Sequence, residues 1–287
     1  MQHVRVLILG ASGMLGSTLL RYFSAQEGVE VFGTARSAKG IESLFDVRRV
    51  RMIGDVDVGH EERLCEVFTE VRPDVVVNCI GVVKQLADAE DPLTAISINS
   101  LLPHRLAKYC AAVGARLVHL GTDCVFSGGK GNYLESDVPD ATDLYGRSKL
   151  LGEVDYPNAL TLRTSLIGHE LNSSRSLVDW FLSQEGSVKG YRRAIFSGLP
   201  TVETARVIHE YVLPNPDLRG VYHLSVDPIS KFDLLSFVAK VYNKDIEIIP
   251  DDSVVIDRSL DSTRFREATG FKPKPWPQLI QEMHDFR

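Results

Sequence analysis

Residues 4–16 read VRVLILGASGMLG, a run of β-branched and aliphatic side chains that ends in a turn with three glycines. The run Val4–Leu9 is typical of a central parallel strand, which is buried on both faces. Apolar residues then recur at helical spacing. A set of three glycines can simply form a tight turn. Because Gly10, Gly13 and Gly16 stand between a first strand and a first helix, they predict a dinucleotide-binding unit. In such a unit, backbone N–H groups at the start of the helix receive the pyrophosphate.

Alternation of strands and helices continues beyond this unit. Apolar runs predict further strands, and amphipathic segments predict helices between them; the strands fall at 29–35, 50–54, 74–81, 117–120 and 159–163, and the helices at 60–71 and 92–113. This order predicts an α/β fold with a Rossmann-type doubly wound parallel sheet. Beyond residue 167 the elements become shorter and mixed. We therefore expect a dinucleotide-binding domain over 1–167 and a smaller α+β substrate lobe over 168–287, with interleaved elements.

Composition narrows the class of protein. The 287 residues are 44% hydrophobic and 24% charged, as in an ordinary soluble globular protein. A formal charge of −6 and a pI near 5.8 argue against a nucleic-acid or anionic-membrane surface. The start of the chain lacks signal-peptide features, and no apolar run approaches the roughly 18 residues of a membrane span. The four cysteines show no zinc spacing. These features favour the cytoplasm and predict no metal site.

A candidate catalytic group follows the strand at 117–120. Thr122 leaves the carboxyl end of this strand, where open α/β sheets place their ligands. Tyr145 and Lys149 share one face of a predicted helix, so the lysine cation is expected to lower the pKa of the phenol. Tyr145 could then protonate a ketone oxygen while Thr122 donates a hydrogen bond to it. The tyrosine–lysine spacing alone fits a solvated helix face about as well as it fits a catalytic pair. The catalytic interpretation is supported by the presence of Thr122 and the glycine turn.

Cofactor preference is indicated at the second strand. Arg36 follows this strand, about 20 residues beyond Gly16, where an acidic residue would bind ribose hydroxyls. An arginine can instead pair with a 2′-phosphate, which favours NADP(H) over NAD(H), although a surface arginine is also common there. Asp55 ends the third strand and could meet an adenine edge, but aspartate is frequent wherever strands end.

The fourth strand contributes a further part of the predicted cofactor site. Its exit, residues 78–81, should lie beside the ribose–phosphate arm. Lys84 follows on a loop at the same rim, where it either contacts a phosphate or is solvated. Asn99 lies in the long helix that comes next, a position at which asparagine is usually solvated.

Four segments together resemble one protein family. They are GASGMLG at 10–16, NCIG at 78–81, GTDCVFSGGKGNYLESDVPDATDLYGRSKLLGE at 121–153 and LRTSLIG at 162–168. In this order they resemble the extended short-chain dehydrogenase/reductases, and within them the dTDP-4-dehydrorhamnose reductase-like group. The likeness spans most of residues 4–210 and is strongest in the third segment.

The resemblance implies a nicotinamide-dependent reductase of a nucleotide-linked keto sugar, with Thr122, Tyr145 and Lys149 as catalytic residues and Asn99 in support. It implies a cofactor site formed by Gly10, Ser12, Gly13, Met14, Leu15, Gly16, Arg36, Asp55, Val56, Cys79, Ile80, Gly81, Asn99, Tyr145, Lys149 and Thr164. It implies a substrate cleft lined by Lys84, Asp123, Cys124, Val125, Arg175, Phe196 and Thr201.

Cys124 departs from the family pattern, which usually has tyrosine there, so one aromatic wall of the cleft is missing. The leading hypothesis is an NADP-dependent reductase of a nucleotide-activated 4-keto-6-deoxy sugar. An epimerase or dehydratase of the same superfamily is an alternative, although Asp123-Cys124 lacks the adjacent Asp-Glu pair of such dehydratases. A non-catalytic NADP-binding regulatory subunit is the other alternative, because the family includes a partner of a methionine adenosyltransferase. The oligomeric state stays open, with a homodimer as one option.

Overall fold

The computed structural model describes residues 3–37, 50–82, 91–171 and 174–287. Within these ranges the helices are α1 (Met14–Ser24), α2 (Glu61–Val71), α3 (Pro92–Ala95), α4 (Leu102–Val113), α5 (Leu144–Leu151), α6 (Leu177–Ser183), α7 (Thr201–Val207), α8 (Lys231–Val241), α9 (Thr263–Thr269) and α10 (Trp276–Asp285). The strands are β1 (Val4–Leu9), β2 (Val29–Thr34), β3 (Val50–Ile53), β4 (Val75–Asn78), β5 (Arg116–Leu120), β6 (Ala159–Arg163), β7 (Leu166–Ile167), β8 (Ser187–Tyr191), β9 (Ala194–Phe196), β10 (Leu199–Pro200), β11 (Gly220–His223), β12 (Ile229–Ser230), β13 (Glu247–Asp251) and β14 (Ile256–Asp257).

A parallel seven-stranded sheet forms the centre of the molecule, in the order β11-β6-β5-β4-β1-β2-β3. Chain order reverses between β1 and β4, and open α/β sheets bind ligands at the carboxyl ends of strands beside such a reversal. The predicted doubly wound fold is confirmed.

Strand β1 shows why the sheet is covered on both sides. Val6 and Ile8 pack into a core that includes α1, whereas Leu7 and Leu9 pack into a second core with α2 and α4. All four are fully buried. A strand that is buried on both faces needs apolar side chains on both, which explains the nearly continuous apolar run at Val4–Leu9.

Helices and strands beyond residue 167 extend the central sheet and pack against the helices that cover it. Strand β11 becomes its edge strand beside β6, and α7 packs against α1. The small sheets β10-β7, β12-β9-β14 and β13-β8 complete this part of the molecule. The segment after β14 contacts the loop that follows β5, because Tyr133 and Leu260 form a bridge. Residues far apart in sequence therefore meet at the end of β5.

The predicted helix over 92–113 is interrupted by a π-helical segment, Ile96–Leu101. Pro103 lacks the N–H that would bond the Asn99 carbonyl in an α-helix. The Leu102 N–H bonds Ser97 instead, one residue further back than in an α-helix. A Cβ added to Gly152 would overlap the Asn99 carbonyl oxygen, so α5 approaches the helix closely at this bulge. Among the described helices, none is both long and apolar enough to cross a membrane.

Candidate active site

The glycine turn after β1 touches the exit of β4. Gly10 has φ +81°, and a Cβ there would lie 2.8 Å from Cγ1 of Ile80. A Cβ on Gly16 would overlap the Gly10 carbonyl oxygen, so α1 starts directly against the turn. Only glycine permits this close packing of helix, turn and neighbouring strand.

The amino terminus of α1 is open towards solvent. Gly13 is the N-cap and supplies no side-chain cap, and Ser12 and Gly13 are exposed. Met14 is partly buried, whereas Leu15 faces the core, so Leu15 can offer a ligand only its backbone. The first N–H groups of a helix need acceptors, and an anion supplies them. This cradle fits the pyrophosphate of a dinucleotide.

Residues predicted to meet the adenosine lie together at the ends of β2 and β3. Arg36 is exposed, two residues after β2. Asp55 is also exposed and adopts a left-handed backbone with φ 56°. The Val56 N–H donates to the Ala35 carbonyl at 3.1 Å, which ties the two strand exits together. Lys84, predicted at the same rim, lies outside the described residues.

Three predicted catalytic residues converge at the end of β5. Asp143 caps α5 by accepting the Gly146 N–H at 2.8 Å, which fixes the helix that carries Tyr145 and Lys149. The Lys149 ammonium, 6% exposed, donates to the Leu120 carbonyl at 2.7 Å. The Thr122 hydroxyl donates to Asp123 Oδ1 at 3.3 Å and lies near enough to the Tyr145 phenol to lower its pKa. The arrangement places a phenol, a hydroxyl and an ammonium around one strand end.

Electrostatics at this site differ from the sequence prediction. Burial raises the pKa of the Tyr145 phenol, nearby Cys124 raises it further, and the nearby Thr122 hydroxyl only partly opposes this. The predicted lowering by Lys149 is wrong for this structure, since the Lys149 ammonium bonds Leu120. Burial lowers the pKa of Lys149 to about 8. At neutral pH Tyr145 is thus a protonated donor and Lys149 a cation.

Asn99 supports the site through other residues. Its Oδ1 accepts the Val82 N–H at 2.9 Å, and its Nδ2 donates to the Val82 carbonyl at 3.1 Å and to Ser148 Oγ at 3.2 Å. Ser148 Oγ in turn donates to the Tyr145 carbonyl at 3.0 Å. Asn99 therefore links the loop after β4 to the helix of Tyr145. Cys79, Ile80 and Gly81 lie on that loop, at the carboxyl edge of the sheet.

The residues after Thr122 differ in burial. Asp123 is 8% exposed, and its N–H donates to the Thr164 carbonyl at 3.3 Å. Cys124 is half-buried. Val125 is fully buried in a small core with Phe126, Tyr133 and Leu260, so its side chain packs in the interior.

The later substrate candidates are scattered. Phe196 is buried on β9. Thr201 begins α7 and its buried hydroxyl accepts from Thr18 Oγ1 on α1 at 3.1 Å, which is a contact between helices. Arg175 is exposed, and its backbone N–H donates to Glu170. The structure shows no contact that joins Thr201 or Arg175 to Asp123 among the described residues.

Two cations whose charges act on Asp123 were not predicted from the sequence. The Lys231 ammonium, on the first residue of α8, lies 4.3 Å from the centroid of the Phe196 ring. Arg258 donates Nε–H to the Phe126 carbonyl at 2.8 Å and contacts Cys124 Sγ at 3.8 Å. Burial raises the pKa of the Asp123 carboxyl, and both cations partly offset this. Neither cation belongs to a local motif, because each reaches the site through tertiary packing.

Known proteins resemble the chain, some of them over nearly its whole length. The Methionine adenosyltransferase 2 subunit beta of Bos taurus is 25% identical over 97% of this chain and 89% of its own length. The Probable low-salt glycan biosynthesis reductase Agl14 of Haloferax volcanii is 34% identical over 165 residues, 56% of this chain and 52% of its own. The dTDP-4-dehydrorhamnose reductase of Bacillus anthracis, solved in complex with NADP, has a TM-score of 0.78 and 21% identity, with 99% of both chains covered.

The structural likeness confirms the fold. The family described as RmlD substrate binding domain matches residues 4–286, nearly the entire chain. This match confirms the resemblance inferred from the four sequence segments. The chain therefore belongs to the RmlD substrate binding domain family.

Proposed function

We propose that this chain is an NADP-dependent reductase of a nucleotide-activated 4-keto-6-deoxy sugar. The observation that carries the proposal is the convergence of Thr122, Tyr145 and Lys149 beside an open dinucleotide cradle. Family membership and the reductases among the relatives support an NAD(P)-dependent oxidoreductase in general. The cradle, the proton donor and the buried cation together fit carbonyl reduction.

The residues of the site suit the proton-transfer half of the reaction. A bound nicotinamide supplies the hydride to the carbonyl carbon. Tyr145 remains protonated at neutral pH because burial raises its pKa, and it donates that proton to the carbonyl oxygen. Thr122 donates a hydrogen bond where negative charge develops. The Lys149 ammonium is held at the Leu120 carbonyl, where it can bind the nicotinamide ribose, and the Tyr145 phenolate afterwards recovers a proton from solvent.

The end of β2 supports NADP over NAD. The residues from Thr34 to Ser37 include no carboxylate, and Arg36 projects an exposed guanidinium there. Carboxylates at this position accept hydrogen bonds from the ribose hydroxyls, whereas a guanidinium pairs with a 2′-phosphate.

Reduction is favoured over dehydration by the neighbours of Thr122. Asp123 is the one carboxylate of the Asp123-Cys124 pair, and burial raises the pKa of the Cys124 thiol to about 11. The thiol is therefore neutral and does not supply the second acid–base group that a dehydration requires.

A non-catalytic subunit is the second candidate, because a methionine adenosyltransferase subunit is similar over nearly the full length. NADPH absorbance, followed with dTDP-, GDP- and UDP-linked 4-keto-6-deoxy sugars, separates the candidates. Oxidation of NADPH with one of these sugars is the expected result. Tight NADPH binding without oxidation by any of them would favour the subunit.

A further inference from the structure

We propose that Lys231 binds the diphosphate of the nucleotide sugar and that Arg258 shapes the same wall of the cleft. This inference rests on the proposed function, because that substrate class carries a diphosphate. It assigns the ligand of a side chain that the family resemblance in the sequence does not single out.

The first support is the environment of the ammonium. Lys231 Nζ lies over the face of Phe196, and among the described residues no hydrogen bond or ion pair reaches it. Burial lowers the pKa of Lys231 to about 8, while Asp123 acts in the opposite direction without forming an ion pair. A partly desolvated ammonium is stabilised when an anion supplies the missing acceptors.

The second support is the charge balance. Asp123 is the acidic group whose charge acts on Lys231, and Arg258 and Lys231 both act on Asp123. One buried carboxylate therefore faces two cations, which leaves the wall with a net positive charge. The guanidinium of Arg258 already donates to the Phe126 carbonyl and to Cys124 Sγ, whereas no acceptor among the described residues bonds the Lys231 ammonium.

The third support is location. Asp123 directly follows Thr122, and Cys124 contacts Arg258. Arg258 therefore lies beside Cys124, and Lys231 interacts electrostatically with both Asp123 and Cys124. A nucleotide sugar joins its sugar to a diphosphate directly, so a cation on this wall can bind the diphosphate while the sugar meets Tyr145.

The experiment measures binding of free dTDP, GDP and UDP by calorimetry to wild type, Lys231→Met, Lys231→Arg and Lys240→Met. Lys240 is exposed in the last turn of α8, so its variant removes the same charge from the same helix. We expect Lys231→Met to weaken the best-bound nucleotide about 10- to 100-fold, the range for a charge-assisted hydrogen bond. Lys231→Arg should keep most of the affinity, and Lys240→Met should change it by less than about 2-fold.

NADPH affinity of each variant serves as the folding control and should stay unchanged. Equal nucleotide affinity in wild type and Lys231→Met would overturn the inference, as would failure of all three nucleotides to bind wild type. Failure of the proposed reductase activity is a separate outcome. It shows as absent NADPH oxidation even where nucleotide binding depends on Lys231.

Discussion

The carboxamide of Asn99 bonds both backbone groups of Val82, accepting its N–H at 2.9 Å and donating to its carbonyl at 3.1 Å. Both residues are buried. We expect Asn99→Ala to lower the free energy of unfolding by about 2–4 kcal/mol, because two buried polar groups lose their partners. Urea denaturation measures this. Ser97→Ala, an exposed change in the same π-helical segment, should stay within about 0.5 kcal/mol.

Asn99→Ala should lower turnover as well as stability, because Ser148 connects Asn99 to the backbone of Tyr145. An Asn99→Ala protein with wild-type stability and turnover would show that the Val82 contact does not position the site.

Substitution of Gly16 tests whether the close packing of α1 on the glycine turn stabilises the fold. Gly16→Ala should lower the free energy of unfolding by about 3 kcal/mol or more, because the added Cβ overlaps the Gly10 carbonyl oxygen. Gly13→Ala is the matched control, since its Cβ would lie 3.4 Å from the same oxygen, an ordinary contact. Thermal unfolding compares the two variants. Equal destabilisation by both would refute the role given to the close approach.

The pH dependence of kcat/KM tests whether the reaction requires the positive charge of Lys149. Burial lowers its pKa to about 8, so its positive charge is lost as the pH rises through that value. Lys231 titrates in the same range, so Lys231→Arg provides the background in which only Lys149 changes. We expect kcat/KM of this variant to fall above about pH 8. Adding Lys149→Arg should move the decline to higher pH, because arginine stays charged.

A decline that keeps its position after Lys149→Arg would assign the titration to another group. The phenol of Tyr145 would not produce it near pH 8, since burial raises its pKa.

Arg36 tests the cofactor preference. Arg36→Ala should reduce the ratio of NADPH to NADH affinity by about 10-fold or more, the value of one charge-assisted contact to the 2′-phosphate. Fluorescence titration with both cofactors measures the ratio. Arg21→Ala is a control, because Arg21 lies in the last turn of α1. An unchanged ratio in Arg36→Ala would remove Arg36 from the 2′-phosphate site.

Sequence patterns predicted the fold where the determinants are local. The apolar run of β1 and the turn from Gly10 to Gly16 depend on neighbouring residues, and both are found in the structure. The meeting of Thr122, Tyr145 and Lys149 was also predictable, because the end of a parallel strand and the helix after it lie at one edge of a sheet.

Long-range packing explains what the sequence did not reveal. The charges of Lys231 and Arg258 act on Asp123 only because of the fold of the later part of the chain. The raised pKa of Tyr145 likewise depends on burial, which its spacing from Lys149 does not encode. The π-helical segment has a local cause in Pro103, which lacks the N–H that would bond the Asn99 carbonyl. The sequence prediction of one continuous helix over 92–113 did not take Pro103 into account.

Transfer of deuterium to the sugar from NADPH that carries deuterium at both C4 positions tests the central claim most directly. Mass spectrometry of the product is compared for wild type and Tyr145→Phe, with cofactor binding measured on both. We expect one deuterium per product with equimolar NADP in wild type. We expect no measurable product in Tyr145→Phe, whose NADPH affinity is retained. Labelled product at the wild-type rate from Tyr145→Phe would contradict the account.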